Sequence, residues 1–295
     1  MKKCALVTGA SGFTGRYMVE ELSAAGYDVL GLASDALDDS ANYISADLTD
    51  NAQLIEVVTS LQPDVVVHLA ALAFVGHGDA SAFYNVNLIG TRNLLEALCA
   101  CDKKPEAVLL ASSANVYGNQ SSGFLSETAL PNPANDYAVS KIAMEYMARL
   151  WMDKLPIVIA RPFNYTGVGQ DEKFLLPKIV SHFRRKASVI ELGNLDVSRD
   201  FSDVRSVVNA YLKLVEICPQ GETFNVASGS IYSLMDIIQL CTELTGHAIE
   251  VRVNPDFVRN NEIKELGGDA SKLTGKIGDW KKAELRETLS WMLLG

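Results

Sequence analysis

Short apolar runs alternate with longer stretches in which apolar residues recur every three or four positions, and this alternation holds from the N-terminus to about residue 164. The first run, Lys3 to Val7, stops at Thr8-Gly9 and predicts a buried strand. Tyr17, Met18 and Leu22 follow at helical spacing, with Gly26 as the stop. Further strands are predicted over 28–33, 64–71, 106–113 and 156–161. The run from Asp64 to Ala71 is apolar almost throughout, as expected of a strand covered on both faces. Helices are predicted over 51–61, which Pro63 ends, over 81–100, with a bend near Gly90, and around Tyr137. Strands alternating with helices predict a parallel, doubly wound sheet.

Beyond Asn164 the pattern changes. A glycine-containing loop at 165–170 leads to a helix over 174–186 and a short strand at 189–192. A helix over 203–217 and a strand over 223–226 are expected to return to the sheet, and a helix over 283–294 closes the chain. The expected division is a first domain of 1–164, to which 203–228 returns, and a smaller α/β lobe from 165–202 and 229–295.

Composition narrows the function. A net charge of -10 argues against a broad nucleic-acid footprint, which needs clustered excess Lys and Arg. No apolar run reaches the roughly 20 residues of a membrane span. Five cysteines, odd in number and irregular in spacing, fit reduced thiols packed in a cytoplasmic protein. The four histidines stand apart from one another, so no metal is expected, and His68 reads as a packed core residue.

Candidate chemistry lies at the expected strand ends. Gly9, Gly12 and Gly15 fall between the first strand and the first helix, in the stretch Thr8-Gly9-Ala10-Ser11-Gly12-Phe13-Thr14-Gly15. Glycines there let backbone amides approach a pyrophosphate at a helix N-terminus. This is the setting of a Rossmann-type dinucleotide loop. Asp35, just past the second strand, is the candidate acid for a ribose hydroxyl and leans toward NAD(H) over NADP(H). Ala70 and Ala71 leave room for a cofactor against their strand end. Tyr137 and Lys141, four apart, share a helix face. An ammonium there is expected to lower the phenol pKa and suit it for proton exchange with an alcohol or ketone. Residues 9–15, Ala70, Ala71, Ser113 and 161–164 all fall at the carboxyl ends of predicted strands, where such sheets bind ligands.

With these residues assembled, the chain resembles the extended short-chain dehydrogenase/reductase family. The matching motifs are residues 8–15, Asp47-Leu48, Leu69-Ala70-Ala71, Ser112-Ser113, Tyr137-x-x-x-Lys141 and Arg161-Pro162-Phe163-Asn164. Within it, the stretches 161–170, 193–205 and 268–273 look most like GDP-4-keto-6-deoxy-D-mannose reductases and GDP-mannose 4,6-dehydratases. The resemblance implies an enzyme using NAD(H) or NADP(H) at C4 of a GDP-linked hexose, commonly as a homodimer. Ser113, Tyr137 and Lys141 would be catalytic. Gly9, Ser11, Gly12, Phe13, Thr14, Gly15, Asp35, Asp47, Leu48, Leu69, Ala70, Ala71 and Phe163 would bind cofactor, with Tyr137 and Lys141. Ser113, Asn115, Asn164, Lys178, Arg199, Arg259 and Glu262 would bind the GDP-sugar.

Two departures shape the expected reaction. The dehydratases carry a glutamate two positions past the catalytic hydroxyl, and here that position is Asn115, which is no base at neutral pH. The nucleotide stretch usually reads Arg-Pro-Ser-Glu and here reads Arg259-Asn260-Asn261-Glu262. The expected activity is reduction of a GDP-4-keto-6-deoxyhexose to a GDP-6-deoxyhexose such as GDP-D-rhamnose. The alternatives are a nucleotide-sugar 4-epimerase with tightly bound NAD, a GDP-mannose 4,6-dehydratase, and a non-catalytic nicotinamide sensor.

Overall fold

The computed structural model describes residues 2–34, 42–73, 78–118, 123–258 and 264–295. Chain order begins with β1 (Cys4–Thr8), α1 (Phe13–Ala24), β2 (Asp28–Ala33), β3 (Tyr43–Ser45), α2 (Asn51–Leu61) and β4 (Val65–His68). There follow α3 (Ala80–Phe83), a π-helical segment (Tyr84–Gly90), α4 (Thr91–Ala100), β5 (Ala107–Ala111), β6 (Phe124–Leu125), α5 (Asp136–Arg149) and β7 (Ile157–Pro162). Then come β8 (Asn164–Thr166), α6 (Leu175–Arg184), β9 (Val189–Leu192), β10 (Ser198–Asp203), α7 (Val204–Ile217) and β11 (Thr223–Val226). The chain ends with β12 (Ile231–Ser233), α8 (Leu234–Thr245), β13 (Glu250–Val253), β14 (Glu265–Gly268), α9 (Ser271–Ile277) and α10 (Leu285–Leu294).

Seven strands form a sheet in the order β11-β7-β5-β4-β1-β2-β3. Every pairing in it is parallel. The order reverses at β1, as in a doubly wound sheet. The apolar runs are strands because both faces are covered. Val7, Val67 and Leu109 face α7, while Leu6, Val66 and Leu110 face α4 and α5. Helix α2 starts where Asp50 accepts the Gln53 amide and ends where Gln62 turns left-handed before Pro63.

The helix expected over 81–100 is observed, with a difference. It carries a full π segment over Tyr84–Gly90 in place of a bend at Gly90. Inside that segment Asn87 is fully buried. Its side chain bonds the Leu72 amide, the Leu72 carbonyl and the Ser140 hydroxyl.

A second sheet of five strands holds β12-β10-β14-β6, with β8 joined to β10. α6, α8 and α10 bury Leu176, Ile237 and Leu289 in the core beside it. Strands β9 and β13 pair separately. Among the described residues no helix is long and apolar enough to cross a membrane.

His68, at the end of β4, is 2% exposed and is held by Thr8 at 2.7 Å and Thr91 at 2.8 Å. Burial, and then the Lys141 charge, push its pKa down to about 3. The unfolded chain therefore takes up a proton from pH 6.5 downward that the folded protein refuses until about pH 3. Stability from this group is present above pH 6.5 and is lost as pH falls through that window, by up to roughly 1.4 kcal/mol per pH unit. Urea unfolding from pH 7 to pH 4 is expected to show a shallower decline for His68→Gln than for the wild type. Parallel declines would overturn this.

Candidate active site

The carboxyl ends of β1, β4, β5 and β7 lie along one edge, because Thr8 registers with His68, His68 with Leu110 and Ala111 with Ala160. At β1 the chain turns through Gly9, whose φ is 68°. A Cβ on Gly9 would lie 2.7 Å from the Ala70 amide nitrogen, so the glycine loop sits directly against Leu69 and Ala70. The Ala70 amide also donates to Thr8 Oγ1 at 3.2 Å. A Cβ on Gly15 would fall 2.1 Å from the Gly9 carbonyl oxygen, closing the turn on itself.

Gly12 caps α1 in extended geometry, without a side-chain cap for the first-turn amides. Those amides, the exposed Ser11 and Gly12, and the dipole of a 12-residue helix suit a pyrophosphate. Gly15→Ala is expected to abolish NADP(H) binding in a fluorescence titration. Affinity within threefold of the wild type would show that the turn is not the binding loop.

The other expected cofactor residues fall as follows. Phe13 and Thr14 open α1. The Asp47 carboxylate accepts the Thr49 amide and hydroxyl at 2.8 Å each. Leu48 is buried in the core with Leu54 and Leu94. Ala71 follows β4, and Phe163 is buried beside Gly268 and Ala227. Asp35 lies outside the described residues.

Helix α5 starts at Asn135, whose side chain accepts the Ala138 amide at 2.9 Å. It carries Tyr137, Ser140, Lys141 and Glu145 inward, all buried. Ser113, just past β5, accepts the Asn115 amide at 3.2 Å, and its hydroxyl lies close enough to the Tyr137 phenol to act on its pKa. Ser113 and Tyr137, 24 positions apart, thus meet at one point. Asn115 lies on the half-buried side of the next turn. Lys141 Nζ donates to the Ala111 carbonyl at 2.8 Å.

Tyr137 departs from expectation. Its pKa is pushed up to about 12, first by burial and further by the nearby Tyr165, against the Ser113 hydroxyl. Burial also brings Lys141 down to about 8, against the Glu145 charge. Helical spacing implies a cation near the phenol but says nothing about desolvation, which is the larger effect on both groups.

A buried polar network behind these residues escaped the sequence reading. Arg161, on β7, donates to both Glu145 oxygens, at 2.8 and 2.6 Å. Ser112 donates to the same carboxylate. Arg161 also donates to the Tyr117 hydroxyl at 2.9 Å, which passes its proton toward Asn225 Oδ1 at 2.6 Å. Arg161 loses hydration on burial, but the Glu145 bonds and charge outweigh that and hold its pKa above the ordinary value. The sequence signal was Glu145 one helical turn past Lys141, with an arginine ending the following apolar run.

Among the expected sugar ligands, Asn164 starts β8 and reaches the Asp200 carbonyl at 3.4 Å. Asp200 is fully buried and accepts from Ser228 and Gly229. Lys178 donates to the Glu191 carbonyl at 2.8 Å and stands 4.5 Å over the Phe257 ring. With His182, Val189, Glu191 and Arg252 these two line a depression of about 460 Å³. Arg199 is half-buried and donates to the Ser198 and Lys264 carbonyls. Arg259 and Glu262 lie outside the described residues.

A parallel sheet with a glycine turn at β1 and a buried Ser-Tyr-Lys cluster past β5 defines a nicotinamide-dependent oxidoreductase of the short-chain type. The chain belongs to the NAD dependent epimerase/dehydratase family, whose sequence pattern matches residues 5–227. It is 38% identical to the GDP-6-deoxy-D-talose 4-dehydrogenase of Aggregatibacter actinomycetemcomitans, over 97% of this chain and 96% of that one. It is 34% identical to the GDP-6-deoxy-D-mannose reductase of Pseudomonas aeruginosa, over 96% and 95%. Its fold matches a crystal structure from Burkholderia cenocepacia J2315 with a TM-score of 0.93 and 53% identity, covering 99% of this chain and 97% of that one. It also matches RMD from Pseudomonas aeruginosa complexed with NADPH, with a TM-score of 0.86 and 31% identity, covering 99% and 98%. The cofactor is NAD(H) or NADP(H).

Proposed function

We propose that the protein reduces the C4 ketone of a GDP-4-keto-6-deoxyhexose to the alcohol, giving a GDP-6-deoxyhexose such as GDP-D-rhamnose. The observation that carries this is the buried Tyr137 phenol, set near Ser113 on a helix that also turns Lys141 inward; burial pushes its pKa up to about 12. It keeps its proton at neutral pH and is ready to give it to an oxygen that is gaining charge. The GDP-6-deoxyhexose names of two relatives support the substrate class.

When bound, the nicotinamide supplies the hydride. The residues 9–15, Leu69, Ala70, Ala71, Asp47, Leu48 and Phe163 would hold the cofactor. Ser113 and Tyr137 would hold the C4 oxygen, and Tyr137 would give it the phenolic proton. Lys141 places an ammonium beside the phenolate this leaves. The position two past Ser113 is Asn115, so no carboxylate stands there to remove a C5 proton, and dehydration is disfavoured. Asn164, Arg199 and Arg259 hold the sugar and diphosphate, and Glu262 takes the ribose hydroxyls. Lys178 and the depression it shares with Phe257 take the nucleotide.

Supplying GDP-4-keto-6-deoxymannose with NADPH or NADH is expected to consume reduced cofactor and yield a GDP-6-deoxyhexose. Stoichiometric NAD carried through purification, with turnover needing none added, would replace this reading by a 4-epimerase.

We further propose a homodimer. Ile89 of the π segment, Tyr146 of α5 and Leu150 just past its end are exposed. Leu150→Glu with Tyr146→Glu is expected to halve the mass measured by light scattering. A wild-type mass of one chain would remove the dimer.

A further inference from the structure

The glycine loop and the segment that carries Asn164 are fastened to each other. Tyr165 is the middle residue of β8, registered with Ser202 of β10. Asn164 and Tyr165 are neighbours on a strand, so their side chains point to opposite faces. Asn164 reaches toward Asp200, while the Tyr165 hydroxyl meets Thr14 Oγ1 at 2.8 Å across 151 positions of sequence. The Phe13 ring stacks on the Tyr165 ring, with centroids 6.2 Å apart and planes 13° from parallel.

The next residues are tied to the same helix. Tyr17 donates to the Val168 carbonyl at 2.7 Å, and Arg16 to the Gly169 carbonyl at 3.1 Å. Gly167, just before them, has no room for a side chain. A Cβ there would meet Val204 at 2.6 Å, Trp291 at 3.1 Å and Phe13 at 3.4 Å. Gln170 closes the segment by bonding Thr166 Oγ1 and the Tyr165 carbonyl. Four residues of the first turn and a half of α1 thus grip residues 165–169. Thr14 and Phe13 belong to the loop that takes the cofactor, and Asn164 adjoins the gripped segment.

We propose that Tyr165 is a positioning residue that couples the two binding sites, so that an occupied glycine loop orders the Asn164 strand for the sugar nucleotide. The coupling rests on the reading of Asn164 as a sugar ligand given above. The geometry explains why an aromatic phenol stands at this position. A phenylalanine would keep the stack on Phe13 and lose only the bond to Thr14. Tyr165 also lies close enough to Tyr137 for the two phenols to feel each other's charge.

The test uses the full chain and Tyr165→Phe, with Tyr17→Phe as a second variant that cuts a different tie. Hydrogen exchange is followed by mass spectrometry with and without NADPH. In the wild type, NADPH is expected to slow exchange at the amides of 164–170, as well as in the glycine loop. In Tyr165→Phe, NADPH is expected to protect the glycine loop as before but to leave 164–170 exchanging several-fold faster, and Tyr17→Phe is expected to fall between. A calorimetric arm measures NADPH affinity with and without GDP. The wild type is expected to gain about tenfold from GDP, and Tyr165→Phe about twofold or less. Equal protection of 164–170 in the wild type and Tyr165→Phe, or none in the wild type, would overturn the coupling. Failure of GDP to bind either protein would count against the guanosine assignment alone, and the exchange readout would still decide the role of Tyr165.

Discussion

Tyr137→Phe is expected to lower kcat for ketone reduction by about 10²–10⁴-fold, the usual contribution of a positioned acid or base. The substitution keeps the ring packed against Phe83, whose centroid lies 6.1 Å away, and removes only the hydroxyl. The fold should survive, because Ser113 retains the Asn115 amide as a partner. The loss should appear in kcat more than in KM, since the proton is needed as charge develops on the C4 oxygen. Lys141 gives the same chemistry a pH signature. With its pKa brought down to about 8, its ammonium is present at neutral pH and disappears above that value. Reductive kcat/KM is therefore expected to fall as pH rises past about 8, and Lys141→Met should flatten the profile at a low rate. A Tyr137→Phe enzyme within tenfold of the wild type would place the proton donor elsewhere.

Arg161→Met should be among the most destabilising single changes in the molecule, at about 3–5 kcal/mol. The side chains of Arg161 and Glu145 are 4% and 0% exposed. Removing the guanidinium leaves a carboxylate with Ser112 as its donor in an apolar interior, and takes a donor from Tyr117. Urea unfolding monitored by circular dichroism measures the loss. The double change Glu145→Leu with Arg161→Met should cost less than Arg161→Met alone, because both charges leave together. A single-mutant loss below about 1 kcal/mol would mean the pair is solvated in a way its burial denies. Glu145 sits one turn from Lys141 and supports its charge, so the pair also reaches the chemistry.

Much of the fold was legible because local signals and burial agree. The bounds of α2 follow from Asp50 before it and Pro63 after it, and β4 lies in a run that is apolar almost throughout. His68 reads as a core residue from its place in that run, and its two threonine partners agree. The second sheet was far less legible. β6 has two residues and β8, β12 three each, too short for a period to register, and they exist because β10 and β14 give them partners. Of the site, helical spacing placed Tyr137 and Lys141 together, and the strand-end rule brought Ser113 to them. The pKa of Tyr137 went the other way from expectation because spacing reports neighbours and not dehydration. The Arg161–Glu145 pair and the Thr14–Tyr165 bond join residues 16 and 151 positions apart, and no local pattern announces such contacts.

The five-stranded sheet draws its strands from stretches that begin at residues 124, 164, 198, 231 and 265. This sheet is therefore not a detachable cassette. A chimaera that takes only its last 67 residues, 229–295, from a relative would set foreign β12 and β14 against native β6, β8 and β10. Rebuilding the sheet calls for matched replacements scattered from residue 124 to residue 268.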